Sequence, residues 1–225
     1  NFICTTMTDF DIAVIGAGYW GKNLIRNFDA LGVLGTICDS RQETLEGFAG
    51  PYPHAERETS YEAVLKNPAI EAVAIASPAE HHHRMVKQAL NAGKHVFVEK
   101  PLALREEEGA ELHDLAQGKK RVLMVGHLLH YHPAVIKLKQ LVSEGELGKI
   151  QYIYSNRLNL GKIRQEENIL WSFAPHDISV ILSLAGEMPD RVVTVGANYL
   201  HQKVADVTLS SLSFPSGVQA HIFVS

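Results

Sequence analysis

Short apolar segments alternate with amphipathic segments along the first half of the chain. The apolar runs are rich in β-branched residues and predict buried parallel strands at residues 11–15, 33–38, 71–76, 95–98 and 121–125. The segments between them have helical spacing and predict helices at residues 23–31, 42–49, 60–66, 80–91 and 106–116. This alternation predicts an α/β fold with a doubly wound parallel sheet, which binds its ligands at the carboxyl ends of the strands.

The pattern changes near Gly126. One amphipathic helix is predicted at residues 133–144, and long extended runs follow at residues 150–158, 191–199, 207–214 and 218–224. A Pro-Ser-Gly turn at residues 215–217 predicts a hairpin between the last two runs, which makes them antiparallel. We therefore predict a Rossmann domain at residues 7–126 and an α+β domain with a largely antiparallel sheet at residues 127–225. Because the chain ends at a predicted strand, we expect this second sheet to be incomplete and the chain to be part of a longer protein.

A G-x-G-x-x-G sequence joins the first predicted strand to the first predicted helix. It consists of Gly16, Gly18 and Gly21, with Tyr19 and Trp20 between the last two glycines. The first glycine allows a tight turn, the second lets the backbone approach a pyrophosphate, and the third lets helix and strand pack closely. The helix N-terminus offers its unpaired N–H groups to the phosphates. The alternative is a glycine-rich structural turn, but the order of strand, glycines, helix and second strand favours a dinucleotide site.

Asp39 ends the second predicted strand, 18 residues after Gly21. A carboxylate at this position accepts hydrogen bonds from the adenosine ribose hydroxyls and repels a 2′-phosphate, which predicts NAD as the cofactor. Ser40 and Arg41 follow directly, and a hydroxyl with a guanidinium would hold the 2′-phosphate of NADP if Asp39 turned away. The residues therefore favour NAD and leave NADP open.

The composition narrows the class of protein. The chain has 225 residues, of which 46% are hydrophobic and 20% are charged, as in ordinary globular proteins. A net charge of −4 gives no basic surface for nucleic acid, and no apolar run approaches the ~20 residues that cross a bilayer. The two cysteines, Cys4 and Cys38, do not form a disulfide framework, so we expect a cytoplasmic protein.

Two further polar segments invite a chemical interpretation. Consecutive side chains on a helix diverge by about 100°, so His81, His82 and His83 cannot converge on one ion, and we predict no metal site. Glu99-Lys100-Pro101 follows the predicted strand 95–98, where a doubly wound sheet presents its ligands. The plain alternative is a charged loop closed by proline. A lysine partly buried beside an oxidised nicotinamide would have a lowered pKa, suited to moving a proton.

The run from Ala92 to Pro101 resembles the signature of the glucose–fructose oxidoreductase/inositol dehydrogenase/MocA (Gfo/Idh/MocA) family. The other matching motifs are the glycine loop, Ser77-Pro78 with His82, Gly126-His127, and Tyr131 with Pro133. They occur in the family's order, and the resemblance covers residues 10–225. It implies a Rossmann domain, an α+β domain with further C-terminal sheet, and an NAD(P)-dependent dehydrogenase acting on CH–OH donors. It also implies a homodimer or homotetramer formed through the C-terminal sheet.

The resemblance also assigns roles to single residues. Lys100 matches the catalytic lysine that orients the reacting hydroxyl and moves its proton, and Glu99 lies near the nicotinamide ribose. Ser77, Pro78 and His82 match the second dinucleotide-contacting turn. His176 matches the other catalytic position. Many members carry an aspartate four residues before this histidine where this chain has Ser172, so a Lys100–His176 pair is expected rather than a Lys–Asp–His triad. Asp177 is a candidate for orienting His176 in place of the aspartate that this chain lacks.

Residues 157–171 form the expected substrate side. Arginines, amides and an indole in this segment would suit an anionic, hydroxyl-rich ligand such as a nucleotide sugar, whereas the plain alternative is a solvated basic loop or a subunit contact. The candidate substrate-binding residues are Lys100, Tyr131, Arg157, Asn159, Arg164, Asn168, Trp171, His176 and Asp177. The segment resembles family members acting on UDP-linked N-acetylated sugars or uronates in surface-polysaccharide synthesis.

Three functions follow from these observations. The first is NAD-dependent oxidation of a ring hydroxyl, at C3, of a UDP-linked amino sugar or its uronate. The second is a free polyol, inositol or sugar dehydrogenase of the same family, which would need fewer basic residues in the substrate loop. The third is a non-catalytic NAD(P)-sensing regulator, since a fold does not determine a function. An intact Lys100 and His176 argue against the third.

Overall fold

The computed structural model of the chain describes residues 10–158, 168–200 and 202–225. These residues form two compact units. The first ends at Gly126, and the second runs from His127 to Ser225. Within the described ranges, no helix is both long enough and apolar enough to cross a membrane.

The first unit is a six-stranded parallel sheet with helices on both faces. Its strands are β1 (Asp11–Ile15), β2 (Leu34–Cys38), β3 (Glu56–Glu58), β4 (Ile70–Ile75), β5 (His95–Val98) and β6 (Leu123–Val125). Its helices are α1 (Gly21–Ala30), α2 (Gln42–Glu46), α3 (Tyr61–Lys66), α4 (His82–Asn91) and α5 (Glu106–Lys119), with a 3₁₀ turn at Ala79–His81. The strand order is β3-β2-β1-β4-β5-β6. Successive strands are added on one side of β1 up to β3 and on the other side from β4 to β6. The strand order therefore reverses between β1 and β4, where doubly wound sheets bind their ligands.

Successive side chains of β1 point to opposite faces of the sheet and contribute to the hydrophobic core on each face. Ala13 and Ile15 face a core that includes side chains of α4 and α5. Ile12 and Val14 face the other core, with Ile25 of α1 and Leu45 of α2. A strand that is buried on both faces reads as one continuous apolar run, which is why the sequence identified β1 correctly.

The sequence analysis missed β3. Its residues, Glu56-Arg57-Glu58, are charged and largely exposed. Among the described strands it lies at the edge of the sheet and pairs with β2 alone, so it needs no apolar side chains. Several boundaries differ as well, among them those of α2, which ends at Glu46, of α5, which continues to Lys119, and of β6, which is limited to Leu123–Val125.

The second unit has one sheet with helix α7 packed on one of its faces. Its helices are α6 (Pro133–Ser143) and α7 (Ile169–Ala185), with a 3₁₀ turn at Leu128–Tyr131. Its strands are β7 (Tyr152–Arg157), β8 (Arg191–Ala197), β9 (Val207–Ser213) and β10 (Gln219–Val224), in the order β7-β10-β9-β8. Ala174 and Ile181 of α7 join Leu212, Ala220 and Ile222 in the core.

The predicted hairpin between β9 and β10 is confirmed, and β9 is also antiparallel to β8. The sheet is nevertheless mixed, because β7 runs parallel to β10. No local turn joins β7 to β10, so the sequence carried no signal for this pairing. The fold class predicted from the sequence, a Rossmann sheet followed by an α+β domain, is confirmed.

Candidate active site

The glycine loop between β1 and α1 shows three different uses of glycine. Gly16 has a φ of +90°, a backbone conformation that disfavours side chains. A Cβ on Gly21 would lie 1.8 Å from the carbonyl oxygen of Gly16, so only glycine lets the helix approach the loop this closely. A Cβ on Gly18 would meet nothing within 4 Å in the described residues. This open space beside the N-terminus of α1 is where a pyrophosphate approaches the backbone in dinucleotide sites.

Asp39 joins the end of β2 to this loop. Its carboxylate accepts a hydrogen bond from the backbone N–H of Ala17 at 2.9 Å and another from the N–H of Arg41 at 3.0 Å. The Arg41 Nε lies 3.4 Å from the same carboxylate, while the arginine side chain is largely exposed. Asp39 is buried and faces the loop, whereas Ser40 is exposed. The carboxylate is therefore not turned away as a 2′-phosphate site would require.

The Glu99 carboxylate lies between the glycine loop and the backbone at Gly126. The indole Nε1 of Trp20 donates to its carboxylate at 2.5 Å. A Cβ on Gly126 would lie 3.0 Å from the same carboxylate, so this glycine leaves room for it. Burial raises the pKa of Glu99, and the hydrogen bonds from Trp20 and from the backbone of Lys100 act in the opposite direction. Lys100 is half-buried and follows Glu99 directly. Tyr19, the neighbour of Trp20, is almost fully exposed.

Ser77 and Pro78 form the turn that follows β4. The ring nitrogens of His82, at the start of α4, lie 2.8 Å from the carbonyl oxygen of Ser77 and 2.6 Å from that of Pro101. His82 is 1% exposed. The flanking histidines are directed elsewhere: His83 contacts Glu111 on α5, and the half-exposed His81 lies 3.6 Å from the Glu80 carboxylate.

The sheet brings these segments together. The glycine loop, Asp39, the Ser77 turn and Glu99-Lys100 follow strands β1, β2, β4 and β5, which are neighbours in the sheet. Because the strands are parallel, their carboxyl ends lie along one edge. The first unit therefore collects the predicted cofactor-binding residues and Lys100 at the edge where such sheets bind nucleotides.

His176 lies on α7 in the second unit. Its ring meets that of His127 edge-to-face, with centroids 6.1 Å apart. Asn168 caps α7 by accepting a hydrogen bond from the Trp171 N–H at 3.0 Å. A cavity of about 350 Å³ adjoins this helix, and its lining includes His127, Trp171 and Pro175. The sequence analysis used His127 only as part of a motif, and its ring contact with His176 had no signal in the sequence.

Asp177 binds residues of β7. Its carboxylate accepts hydrogen bonds from Arg157 Nε and Ser155 Oγ, both at 2.7 Å, and Arg157 Nη2 lies 3.3 Å away. Asp177 is buried and Arg157 is half-buried. Asp177 thus orients Arg157, whereas the sequence analysis named it as a residue that orients His176.

The remaining predicted substrate residues are scattered or not described. Tyr131 is exposed at the end of the 3₁₀ turn before α6. Ser172, in the place of the aspartate found in many family members, is buried on α7. Asn159 and Arg164 lie outside the described residues.

Comparison with known proteins agrees with this geometry. Residues 10–127 match the oxidoreductase family with an NAD-binding Rossmann fold, and residues 135–225 match the GFO/IDH/MocA C-terminal domain. The chain belongs to the Gfo/Idh/MocA oxidoreductase family. The prediction of an NAD-binding Rossmann domain is therefore confirmed.

Similar proteins have several different activities. A 1-carboxy-3-chloro-3,4-dihydroxycyclo hexa-1,5-diene dehydrogenase from Comamonas testosteroni is 28% identical, over 95% of this chain and 57% of that protein. A UDP-N-acetylglucosamine 3-dehydrogenase from Acidithiobacillus ferrooxidans is 29% identical, over 94% of this chain and 66% of that protein. The chain thus spans somewhat under two thirds of the length of these relatives.

Solved structures agree on the fold. The scyllo-inositol dehydrogenase from Lactobacillus casei with bound NAD(H) and scyllo-inositol superimposes with a TM-score of 0.86 at 23% identity, over 97% of this chain and 70% of that chain. An NAD-binding protein from Listeria innocua superimposes with a TM-score of 0.87 at 22% identity, over 96% and 66% of the two chains. At these identities the comparison establishes the fold alone.

Proposed function

We propose that this family member is an NAD-dependent dehydrogenase that oxidises C3 of a UDP-linked amino sugar or its uronate, in surface-polysaccharide synthesis. The observation that carries this proposal is the placement of Glu99-Lys100. These residues follow β5 at the ligand-binding edge of the sheet, and Trp20 of the glycine loop is hydrogen-bonded to Glu99. Lys100, the proposed proton-handling residue, thus directly follows a residue that contacts a loop shaped for a dinucleotide.

The residues of the first unit fit NAD. Gly18 leaves open space in the loop, and the N-terminus of α1 lies next to it. Asp39 is held at the end of β2 with its carboxylate toward the loop, where it would accept hydrogen bonds from the ribose and repel a 2′-phosphate. When bound, NAD supplies the hydride acceptor.

Lys100 and His176 are the proposed catalytic residues. Oxidation of a secondary alcohol removes a hydride from carbon and a proton from oxygen. In the proposal, Lys100 orients the hydroxyl and accepts its proton, and His176 assists in moving that proton. Ser172 supplies no carboxylate, so the proposed machinery is a pair and not a triad.

The sugar class rests on the second unit and on one relative. Arg157, Asn168 and Trp171 would provide a guanidinium, an amide and an indole for an anionic sugar. The UDP-N-acetylglucosamine 3-dehydrogenase is among the most similar relatives. Asn159 and Arg164 complete the proposed substrate residues.

One observation favours a second candidate, a dehydrogenase of free polyols or inositol. The Arg157 guanidinium already binds the buried carboxylate of Asp177. This pairing reduces the positive charge that Arg157 can offer to a diphosphate, whereas an uncharged polyol needs no such charge.

The outer face of the second sheet supports a homodimer or homotetramer. Tyr154, His221, Ser211 and Val193 form one row across the face opposite α7. Tyr154 and Val193 are exposed, as an unpaired sheet face would be. A cytoplasmic location completes the proposal, since Cys38 is a buried free thiol.

Nicotinamide reduction by the natural protein that contains this chain tests the proposal. The protein is offered NAD with UDP-N-acetylglucosamine, its uronate or myo-inositol in parallel. We expect NADH only with a UDP-sugar, and a loss of at least about a hundredfold in kcat for Lys100→Ala, because a general acid–base group contributes about 10²–10⁴-fold. Lys119→Ala, at the exposed end of α5, is the matched control and should leave kcat unchanged.

Each contrary result has a definite reading. Turnover with inositol alone would replace the nucleotide-sugar proposal by the polyol one. NAD binding without turnover of any substrate would contradict both and favour a sensor. Full activity in Lys100→Ala would refute the assignment of the catalytic lysine.

A further inference from the structure

His82 bridges two segments that the fold brings to the ligand-binding edge of the sheet. One is the Ser77-Pro78 turn after β4, and the other is Glu99-Lys100-Pro101 after β5. The His82 Nε2 lies 2.8 Å from the Ser77 carbonyl oxygen, and its Nδ1 lies 2.6 Å from the Pro101 carbonyl oxygen. The side chain is 1% exposed, so water does not compete for these contacts.

Both partners of the ring are carbonyl oxygens, which only accept hydrogen bonds. A ring nitrogen therefore binds its carbonyl when it carries a hydrogen; a neutral imidazole has one such hydrogen and an imidazolium has two. Because the ring is rigid, it sets the separation of the two backbone segments. Leaving either carbonyl without a donor in this buried place is unfavourable.

We propose that His82 is a positioning residue that couples the cofactor-contacting turn to the loop of the catalytic lysine. Through Ser77 it sets the turn that contacts the dinucleotide, and through Pro101 it sets the backbone of the preceding residue, Lys100. With its side chain 1% exposed, His82 acts through these neighbours. This inference rests on the proposed function, because it concerns the same site.

Two variants separate the halves of the bridge. Asparagine places its amide nitrogen near the position of Nδ1, so His82→Asn can keep the contact with Pro101 and loses that with Ser77. Glutamine places its amide nitrogen near the position of Nε2, so His82→Gln can keep the contact with Ser77 and loses that with Pro101. His83→Gln is the matched control, since His83 contacts Glu111 on the neighbouring helix.

The expected results differ between binding and turnover. His82→Asn should raise the Kd for NAD about tenfold and leave kcat within about twofold of the unmodified protein. His82→Gln should leave the Kd for NAD within about twofold and lower kcat about tenfold. Calorimetric titration with NAD, at one pH and corrected for the folded fraction, gives the Kd without any need for turnover.

Equal effects of the two His82 variants on Kd and kcat would overturn the inference. If both variants change Kd and kcat by the same factors, or change neither, His82 does not couple the two segments. If the unmodified protein oxidises no sugar, the proposed function fails, but the difference in Kd between the two variants still decides whether His82 sets the cofactor turn.

If neither His82 variant folds, a measurement on the unmodified protein still tests the inference. In protein labelled with ¹⁵N-histidine, NAD should shift the ring resonances of His82 and leave those of His83 unchanged. The His83 resonances are identified by their loss in the His83→Gln control. The His82 resonances are identified by their loss in a folded His82 variant or, where no variant folds, by the slow hydrogen exchange of the buried ring. An unchanged His82 resonance in the NAD complex would overturn the coupling.

Discussion

Replacing Gly21 with alanine tests how the glycine loop is packed. The new Cβ would lie 1.8 Å from the Gly16 carbonyl oxygen, whereas ordinary contacts begin at about 3.4 Å. Both groups are backbone or fixed to it, so no side-chain rotation relieves a shortfall of about 1.6 Å. Helix α1 or the loop must move, and α1 carries Leu24 and Ile25 into the core.

The cost can be estimated from this overlap. Forcing extra atoms into a packed interior costs about 1–3 kcal/mol and occasionally more, and here the obstacle is rigid backbone. The better helix propensity of alanine returns up to about 1 kcal/mol. We expect a net loss of about 2 kcal/mol in the free energy of unfolding, which lowers Tm by about 4–8 °C for a chain of this size.

The assay is thermal unfolding followed by circular dichroism without NAD, with Gly18→Ala as the control. A Cβ at Gly18 meets no described atom within 4 Å, so this variant should keep its Tm within about 2 °C. It should still raise the Kd for NAD at least about tenfold, because its methyl group occupies the approach of the pyrophosphate. A stable Gly21→Ala protein, or unweakened NAD binding by Gly18→Ala, would refute the reasoning.

Three further predictions follow from the polar contacts. Asp39→Ala removes the carboxylate that excludes a 2′-phosphate and frees Arg41, so the ratio of the Kd for NADP to that for NAD should fall at least about tenfold in calorimetric titrations; an unchanged ratio would exclude Asp39 as the determinant. Burial raises the pKa of Glu99 above its ordinary 4.5, so the folded state holds this proton more tightly than the unfolded chain, and stability falls as pH rises above about 4.5. Without cofactor, Glu99→Gln should therefore have a higher Tm than the unmodified protein at pH 8 and the same Tm at pH 4; a lower Tm at pH 8 would contradict this sign. Asp177→Ala leaves the half-buried Arg157 charge without its carboxylate and should lower the free energy of unfolding in denaturant by about 2 kcal/mol. Adding Arg157→Leu should recover part of this loss, because an unpaired charge costs more than the absence of both partners. Additive losses would show that the pair is not coupled.

The parts of the fold that were predictable depend on local signals. β1, the glycine loop and α1 were readable because each is encoded within a few residues: an apolar run, the spaced glycines and helical periodicity. The β9–β10 hairpin was readable for the same reason, since its turn lies between its strands. β3 was not readable, because a charged edge strand carries no apolar pattern.

The contacts that build the site were less predictable, since they join residues far apart in the chain. Asp177 and Arg157 are 20 residues apart on different elements, and neither sequence neighbourhood names the other as its partner. His82 was identified as a site residue by resemblance, but its partners are backbone carbonyls, which every residue has. The hydrogen bond from Trp20 to Glu99 spans 79 residues and became visible only in the folded sheet.

The most direct test of the central claim follows the hydrogen that leaves the substrate. The natural protein that contains this chain is incubated with NAD and UDP-N-acetylglucosamine deuterated at C3, and the reduced cofactor is analysed by mass spectrometry. The account predicts one deuterium in the NADH and a slower rate than with the unlabelled sugar, with neither product nor isotope effect in Lys100→Ala. Unlabelled NADH would contradict oxidation at C3, and the absence of any NADH from a protein that binds NAD would contradict UDP-N-acetylglucosamine as the substrate.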